Sequence, residues 1–296
     1  MAVDALVARH AATLADAGVP TPAVDARLLV RAVLGDAGGR TSSGVMTDDP
    51  RVDELARLVA ERARRVPLQH LLGATWFRHL RLICRPGVFI PRPETEIVAG
   101  VAIEAARAAG PAPVVVEPCT GSGAIALAVA TEVAEADVHA GDVSEDAVAL
   151  TRDNLAAVLV GEADVPGLAR GASCTVVRSD LLAGFPTDLR GSVDVLVSNP
   201  PYLPAGDRAT WEPELGHDPD GALVGGPDGH EVVDALLAAA RGWLRPGGVV
   251  VLEIDDRRGP DAARAAVAAG LVDVTLVPDL TGADRAVRAR VPGGSA

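Results

Sequence analysis

From about residue 94 onward, short apolar segments alternate with segments of helical periodicity, and this alternation restricts the fold more than any other feature of the sequence. Seven candidate strands stand out: APVVVEP (112–118), ADVHAGDV (136–143), SCTVVRS (173–179), VDVLVS (193–198), GGVVVLEI (247–254), VDVTLVP (272–278) and RAVRARV (285–291). Helical stretches begin between them near Glu94, Gly123, Ser144, Glu231 and Pro260. A strand followed by a helix cannot fold back as a hairpin; the helix carries the chain across to a parallel neighbour, and the sheet is covered on both faces. The expected fold class is α/β, with a seven-stranded Rossmann-like sheet.

The preceding residues read differently. Val3, Leu6, Val7 and Leu14 recur at helical spacing before Gly18, Thr21-Pro22 opens a second helix that closes at Gly35, and VDELARLVAERARRV after Pro50 is a third, amphipathic one. Between the last two, GDAGGRTSSGVMTDDP (35–50) has the composition of a loop. In ATWFRHLRLICRPGVFI (74–90), Phe77, Leu80, Leu82 and Val88 sit among polar residues, Pro86-Gly87 marks a turn, and the segment reads as a hairpin. The expected organisation is a helical domain over 1–72, a hairpin linker over 73–92 and the sheet domain over 93–296.

Composition narrows the function classes. Net charge is -13 and all 27 basic residues are Arg, which weighs against a protein that tracks a nucleic-acid backbone. Asp4 and Asp16 interrupt the first apolar segment, so no signal peptide is expected, and no apolar run is long enough to cross a bilayer. Cys84, Cys119 and Cys174 are odd in number and lack C-x-x-C spacing, which fits a reducing cytoplasm. The histidines show no paired spacing, so no metal site is expected.

Ligands of open parallel sheets bind at the carboxyl ends of the strands. The first strand here runs into Gly121 and Gly123 and then a helix, whose N-terminal N–H groups can receive an anionic group. Asp142, at the end of the second strand, stands where an acid can accept both ribose hydroxyls, and Asp180, after the third, where an adenine amine could be held. The run Gly121-Ser122-Gly123-Ala124-Ile125-Ala126 also satisfies the dinucleotide pattern, so the turn does not choose between cofactors.

The fourth strand discriminates. VDVLVS ends in Asn199-Pro200-Pro201-Tyr202, where two prolines fix the backbone, donate no N–H and keep Asn199 out of the helical region. An amide or aromatic amine is a poor nucleophile because its lone pair is delocalised. A site methylating it must orient it, and the Asn199 Oδ1 and Pro200 carbonyl could each accept one N–H of an incoming NH2. Tyr202 would supply a flat wall.

With these motifs the sequence resembles the HemK/PrmC family of protein-(glutamine-N5) methyltransferases. The likeness extends through RARRVPLQHLLGATWF (62–77), GVFIPRPETE (87–96), CTGSGAIALA (119–128), HDPDGALVGGPDG (217–229), WLRPGGVVVLE (243–253) and DLTGADR (279–285). The resemblance implies an N-terminal helical domain that cradles a substrate protein and a methyltransferase domain that uses S-adenosylmethionine and releases S-adenosylhomocysteine. The implied acceptor is the glutamine of the Gly-Gly-Gln motif in class 1 peptide chain release factors. It further implies that Asn199, Pro200, Pro201 and Tyr202 receive that amide. The implied cofactor residues are Arg92, Thr95, Glu117, Cys119, Thr120, Gly121, Ser122, Gly123, Asp142, Val143, Asp180, Leu181 and Asn199. The Cys119 side chain, with no His nearby in sequence, reads as packing. Glu117 stands where the family usually has Asp, and His230 where Leu or Met is usual. Other readings are a relative that methylates a small metabolite, a nucleic-acid amino methyltransferase, and a non-catalytic module that only binds the cofactor.

Overall fold

The computed structural model describes residues 2–35, 49–161 and 166–294, so most of the expected loop over 35–50 lies outside the described residues. The chain divides into two compact units, Met1–Ala74 with Glu212–His217, and Thr75–Trp211 with Asp218–Ala296.

In the first unit, helices α1 (Val3–Asp16), α2 (Pro22–Leu34), α3 (Pro50–Ala63) and α4 (Leu68–Leu72) enclose a core in which Leu6, Leu14, Leu29 and Leu55 are fully buried. Pro22 and Pro50 occupy first turns, where a missing N–H costs nothing. The Asp49 carboxylate caps α3 by accepting from the Arg51 N–H at 3.0 Å. Helix α4, with five residues, is too short to show periodicity in sequence. Buried Arg62 donates to Asp25 at 2.7 Å and to Glu214 at 2.9 Å, and Arg65 grips Glu214 through two contacts of 2.7 and 2.5 Å. A carboxylate far along the chain thus completes the helical unit.

Strands β1 (Ala74–Phe77) and β2 (Leu80–Ile83) come next, the second unit starting one residue into β1. Their reversal falls at Arg78-His79, and Pro86-Gly87 forms a later, separate turn. Arg78 adopts a left-handed φ of 53° because its N–H donates to Glu96 at 2.8 Å and its guanidinium donates twice to Glu132. The remainder runs α5 (Thr95–Ala109), β3 (Val114–Pro118), α6 (Ala124–Glu132), β4 (Asp137–Asp142), α7 (Glu145–Val160), β5 (Ser173–Arg178), β6 (Val193–Ser198), α8 (Asp220–Leu223), α9 (Glu231–Trp243), β7 (Leu244–Glu253), α10 (Gly259–Ala268), β8 (Val272–Pro278) and β9 (Asp284–Arg290).

All seven expected strands form one sheet in the order β5-β4-β3-β6-β7-β9-β8, with β9 antiparallel to both of its neighbours. Helices α5 and α6 cover one face through Val98, Ala102, Ile125 and Leu127; α9 and α10 cover the other through Leu236, Leu237, Ala262 and Ala266. Every residue from Ala124 to Ala130 is buried, which is why α6 carries no polar stripe. Beyond β3 the chain steps outward through β4 and β5, then returns to β6 on the other side of β3. The carboxyl ends of β3 and β6 therefore flank the topological switch point, where a crevice must open.

Candidate active site

The turn after β3 uses left-handed backbone at Cys119 (φ 58°), Gly121 (58°) and Gly123 (83°). A Cβ on Gly123 would stand 2.8 Å from Thr151 Cγ2, so only glycine fits there. Neighbouring elements fix the turn: Thr120 N–H donates to Gly141 O at 3.0 Å, Thr151 Oγ1 to Gly121 O at 2.9 Å, and Asn154 Nδ2 to Ser122 O at 2.9 Å. The long Glu117 side chain turns inward, its Oε2 accepting from the Thr120 hydroxyl at 2.7 Å and the Ala126 N–H at 2.9 Å, inside the first turn of α6.

Burial pushes the Glu117 carboxyl up to about 8, against the pull of those two hydrogen bonds. Across the window between its ordinary value and about 8, the folded chain keeps a proton that the unfolded chain has released. Stability from this group is full below the unfolded pKa and is lost as pH rises through the folded one. Melting temperature should therefore fall as pH rises through that window. Calorimetric scans of Glu117→Gln should show a shallower decline; an unchanged slope would remove Glu117 as its cause.

Asp142, at the end of β4, accepts from Gly121 N–H through Oδ2 and from Ser144 N–H through Oδ1, both at 2.9 Å. Each oxygen retains capacity for a further donor. Past β5, the Ser179 hydroxyl donates to Leu181 O at 2.6 Å and accepts from Gly184 N–H at 2.9 Å, bracing Leu181 at φ 45° beside exposed Asp180. The Ser198 hydroxyl ties the end of β6 to β3 by donating to Pro118 O at 2.6 Å. Asn199 Nδ2 donates to Thr95 Oγ1 at 3.2 Å, which leaves Asn199 Oδ1 as an acceptor.

The turn after Asn199 is seated on residues 223–229. Leu203 N–H donates to Leu223 O at 2.9 Å, Gly225 N–H to Leu203 O at 3.1 Å, and Ala205 N–H to Gly226 O at 3.0 Å. A Cβ on Gly225 would lie 2.4 Å from Pro201 O and 2.7 Å from Gly229 O, both backbone atoms that cannot swing aside. Gly225→Ala should displace the prolines and slow about 100-fold the methyl transfer that the sequence resemblance implies. Cofactor affinity should stay near wild type; single-turnover kinetics and calorimetry separate the two effects.

A cavity of about 300 Å³ lies between these strand ends. Of the residues singled out in the sequence, Thr95, Glu117, Cys119, Thr120, Gly121, Ser122, Asp142, Val143, Asp180, Leu181, Asn199 and Pro201 line it, whereas Arg92, Gly123, Pro200 and Tyr202 do not. Arg92 instead pairs with Asp218 at 2.6 Å and lies over the Phe89 ring at 5.1 Å. The Tyr202 hydroxyl donates to Glu253 Oε1 at 3.1 Å. His230 sits at the N-cap of α9 with Nε2 3.4 Å from Asp261 Oδ2, off the cavity wall. Sequence reasoning missed an apolar wall of Val88, Phe89, Pro91, Pro219, Ala222 and Val224. Its only signal was apolar residues persisting inside GVFIP, a loop, and GALVGG, which begins in the short helix α8.

Among the described residues, the carboxyl groups on the cavity wall are those of Glu117, Asp142 and Asp180, and no Arg or His lines it; Glu117, pushed up to about 8, keeps its proton at neutral pH. Burial pushes the Cys119 thiol up to about 12, so it is no nucleophile at neutral pH. An acid-lined crevice at a switch point, with a rigid amide-bearing turn beside it, suits a cationic nucleoside better than a pyrophosphate.

The fold and this site together define an enzyme of the methyltransferase class. Residues 5–73 match the family described as PrmC N-terminal domain, and residues 81–212 match the methyltransferase small domain. The chain is 44% identical over 258 residues to the release factor glutamine methyltransferase of Streptomyces coelicolor, covering 86% of this chain and 85% of that one. It is 40% identical over 295 residues to the same-named protein of Deinococcus radiodurans, covering 98% of both. The chain belongs to the release factor glutamine methyltransferase family. A crystal structure of a methyltransferase from Pyrococcus furiosus shares the fold, with a TM-score of 0.53 and 20% identity over 79% of this chain and 98% of that one. Among the described residues, no helix is long and apolar enough to cross a membrane.

Proposed function

We propose that this enzyme transfers a methyl group from S-adenosylmethionine to the side-chain amide nitrogen of the glutamine in the Gly-Gly-Gln motif of a class 1 peptide chain release factor. The observation that carries the reading is Asn199: its Nδ2 is engaged by Thr95, and its Oδ1 remains an acceptor at the wall of an acid-lined cavity.

The acids fit the cofactor. Asp142 would take the ribose hydroxyls and Asp180 with Leu181 would border the adenine. The turn from Cys119 to Ser122, with Glu117 behind it, would line the methionine end, and Gly123, off the cavity wall, would shape that turn. Bound there, S-adenosylmethionine supplies an electrophilic methyl on a sulfonium. Asn199 Oδ1 and the Pro200 carbonyl would each accept one N–H of the glutamine amide, fixing its plane so that the nitrogen lone pair faces the methyl. Orientation, rather than a strong base, is then the main contribution to rate. After transfer the nitrogen is more acidic, and its proton can leave to these acceptors or to water.

The helical unit, residues 1–72 in the sequence reading, would receive the release factor, and the hairpin segment 73–92 would connect it to the catalytic unit. A net charge of -13 supports a protein acceptor over a nucleic-acid one. The free thiols at Cys84, Cys119 and Cys174 support a cytoplasmic setting.

Purified enzyme given methyl-labelled S-adenosylmethionine should label one glutamine of the release factor. Parallel arms should contain RNA and small-molecule extracts as competing acceptors. A release factor that stays unlabelled while cofactor binds normally would end this reading, and label appearing in another arm would name the true acceptor class.

A further inference from the structure

The last residue of β7, Glu253, is fully buried and does not line the cavity. Its Oε1 accepts from the Tyr202 hydroxyl at 3.1 Å, while Oε2 is buried with no hydrogen-bond partner among the described residues. The Thr95 hydroxyl, which accepts from Asn199, also helps hold Glu253 in its charged form. One buried carboxylate thereby bonds Tyr202 directly and feels the Thr95 hydroxyl that receives Asn199.

The DLTGADR motif (279–285) leads from β8 into β9. Asp279 Oδ1 accepts from Thr281 N–H at 2.8 Å, the Thr281 hydroxyl at 2.6 Å and Ala283 N–H at 3.1 Å, closing the segment on itself. Its Oδ2 accepts from Arg285 Nη2 at 2.9 Å. Arg285, mostly buried, is the cation that acts on both Glu253 and Tyr202, and its Nε likewise has no hydrogen-bond partner among the described residues. Strand β9 places Arg285 next to Ala286, the register partner of Glu253, and the Arg285 carbonyl accepts from Ile254 N–H at 3.0 Å.

We propose that Glu253 and Arg285 are positioning residues for methyl transfer: Glu253, countered by Arg285, holds Tyr202 through its hydroxyl and so fixes the turn whose other end, Asn199, donates to Thr95. The inference rests on the reading of Asn199–Tyr202 as the acceptor clamp. A buried carboxylate is costly where an apolar side chain would pack, so its place here needs a task such as fixing one geometry. The groups that face it are Thr95, Tyr202, Arg285 and Glu94. Burial sets its titration at about 7, with the two hydroxyls and Arg285 pulling down and Glu94 pushing up. Protonation near neutrality would loosen the clamp, so transfer should weaken on the acid side.

Tyr202 is the sole tyrosine of the chain, so a tyrosine ring-labelled sample gives one reporter resonance. In the full-length enzyme without substrate, the Cζ shift of Tyr202 should titrate with a midpoint near 7 and lie flat in Glu253→Gln. Arg285→Ala should raise the wild-type midpoint, and it serves if Glu253→Gln does not fold. In release factor methylation, Glu253→Gln and Tyr202→Phe should each lower kcat about 10-fold or more, with cofactor affinity unchanged, and the double variant should be no slower than the worse single. A tyrosine resonance that ignores pH and the Arg285 change, or losses that add in the double variant, would overturn the proposal. An unlabelled release factor with the resonance titrating as described would instead end the functional reading and leave the Glu253–Tyr202 link intact.

Discussion

Asn199→Ala is expected to lower methyl transfer about 100- to 1000-fold while leaving cofactor affinity within a few-fold of wild type. The residue follows β6 directly, and its position is over-determined. Ser198 anchors the strand end to Pro118 O, Pro200 restricts the Asn199 backbone, and Thr95 Oγ1 accepts one amide proton. Removing the amide deletes the proposed acceptor for the substrate NH2 without opening the hydrophobic core, since the neighbouring buried side chains Leu196 and Val197 are untouched. Single-turnover labelling of the release factor measures the loss, and calorimetry measures the cofactor. A variant that binds cofactor normally and transfers methyl at the wild-type rate would refute the role of the amide.

Asp142→Ala is expected to do the reverse. The two charge-assisted hydrogen bonds proposed to the ribose hydroxyls, even at the low end of their range, would total about 3 kcal/mol, or roughly 100-fold in cofactor affinity. The same carboxylate receives the N–H groups of Gly121 and Ser144, so part of the loss comes from slackening the turn after β3. Asp142→Asn separates the contributions: the amide keeps one acceptor oxygen and nearly the same volume, and should weaken binding less. Equal losses of cofactor affinity in Asn199→Ala and Asp142→Ala would contradict the division of labour between the ends of β4 and β6.

Much of this was legible from residue order alone because it depends on short-range pattern. The seven strands are apolar runs bounded by turn residues, and a residue at the end of a parallel strand falls at one rim of the sheet whatever the details. That argument alone places Gly121, Asp142, Asp180 and Asn199 around a common crevice. What escaped is set by partners distant in sequence. Arg92 and Asp218 find each other across two loops, and nothing in either loop announces the pair. Tyr202 reads as a wall for the substrate, yet its hydroxyl is directed to Glu253 by packing that no local rule describes. The hairpin reversal sits at Arg78 because Glu96 and Glu132 stabilise a left-handed arginine there, against the intrinsic preference that favours Pro86-Gly87. Gly225 illustrates the middle case: the Gly-Gly pair signals a tight passage, but only the fold shows that Pro201 O is what the missing side chain makes room for.

The six residues Glu212–His217 give the helical unit a boundary that no single cut can respect. A fragment ending at Ala74 would leave Arg62 with Asp25 as its one carboxylate partner and Arg65 without either of its contacts to Glu214. Grafting this unit onto another catalytic body would therefore require transplanting a second, internal segment along with it. For the same reason, sequence drift in the helices and in that short segment is coupled: a change at Arg62 or Arg65 is felt first at Glu214, so the two stretches must diverge as one piece.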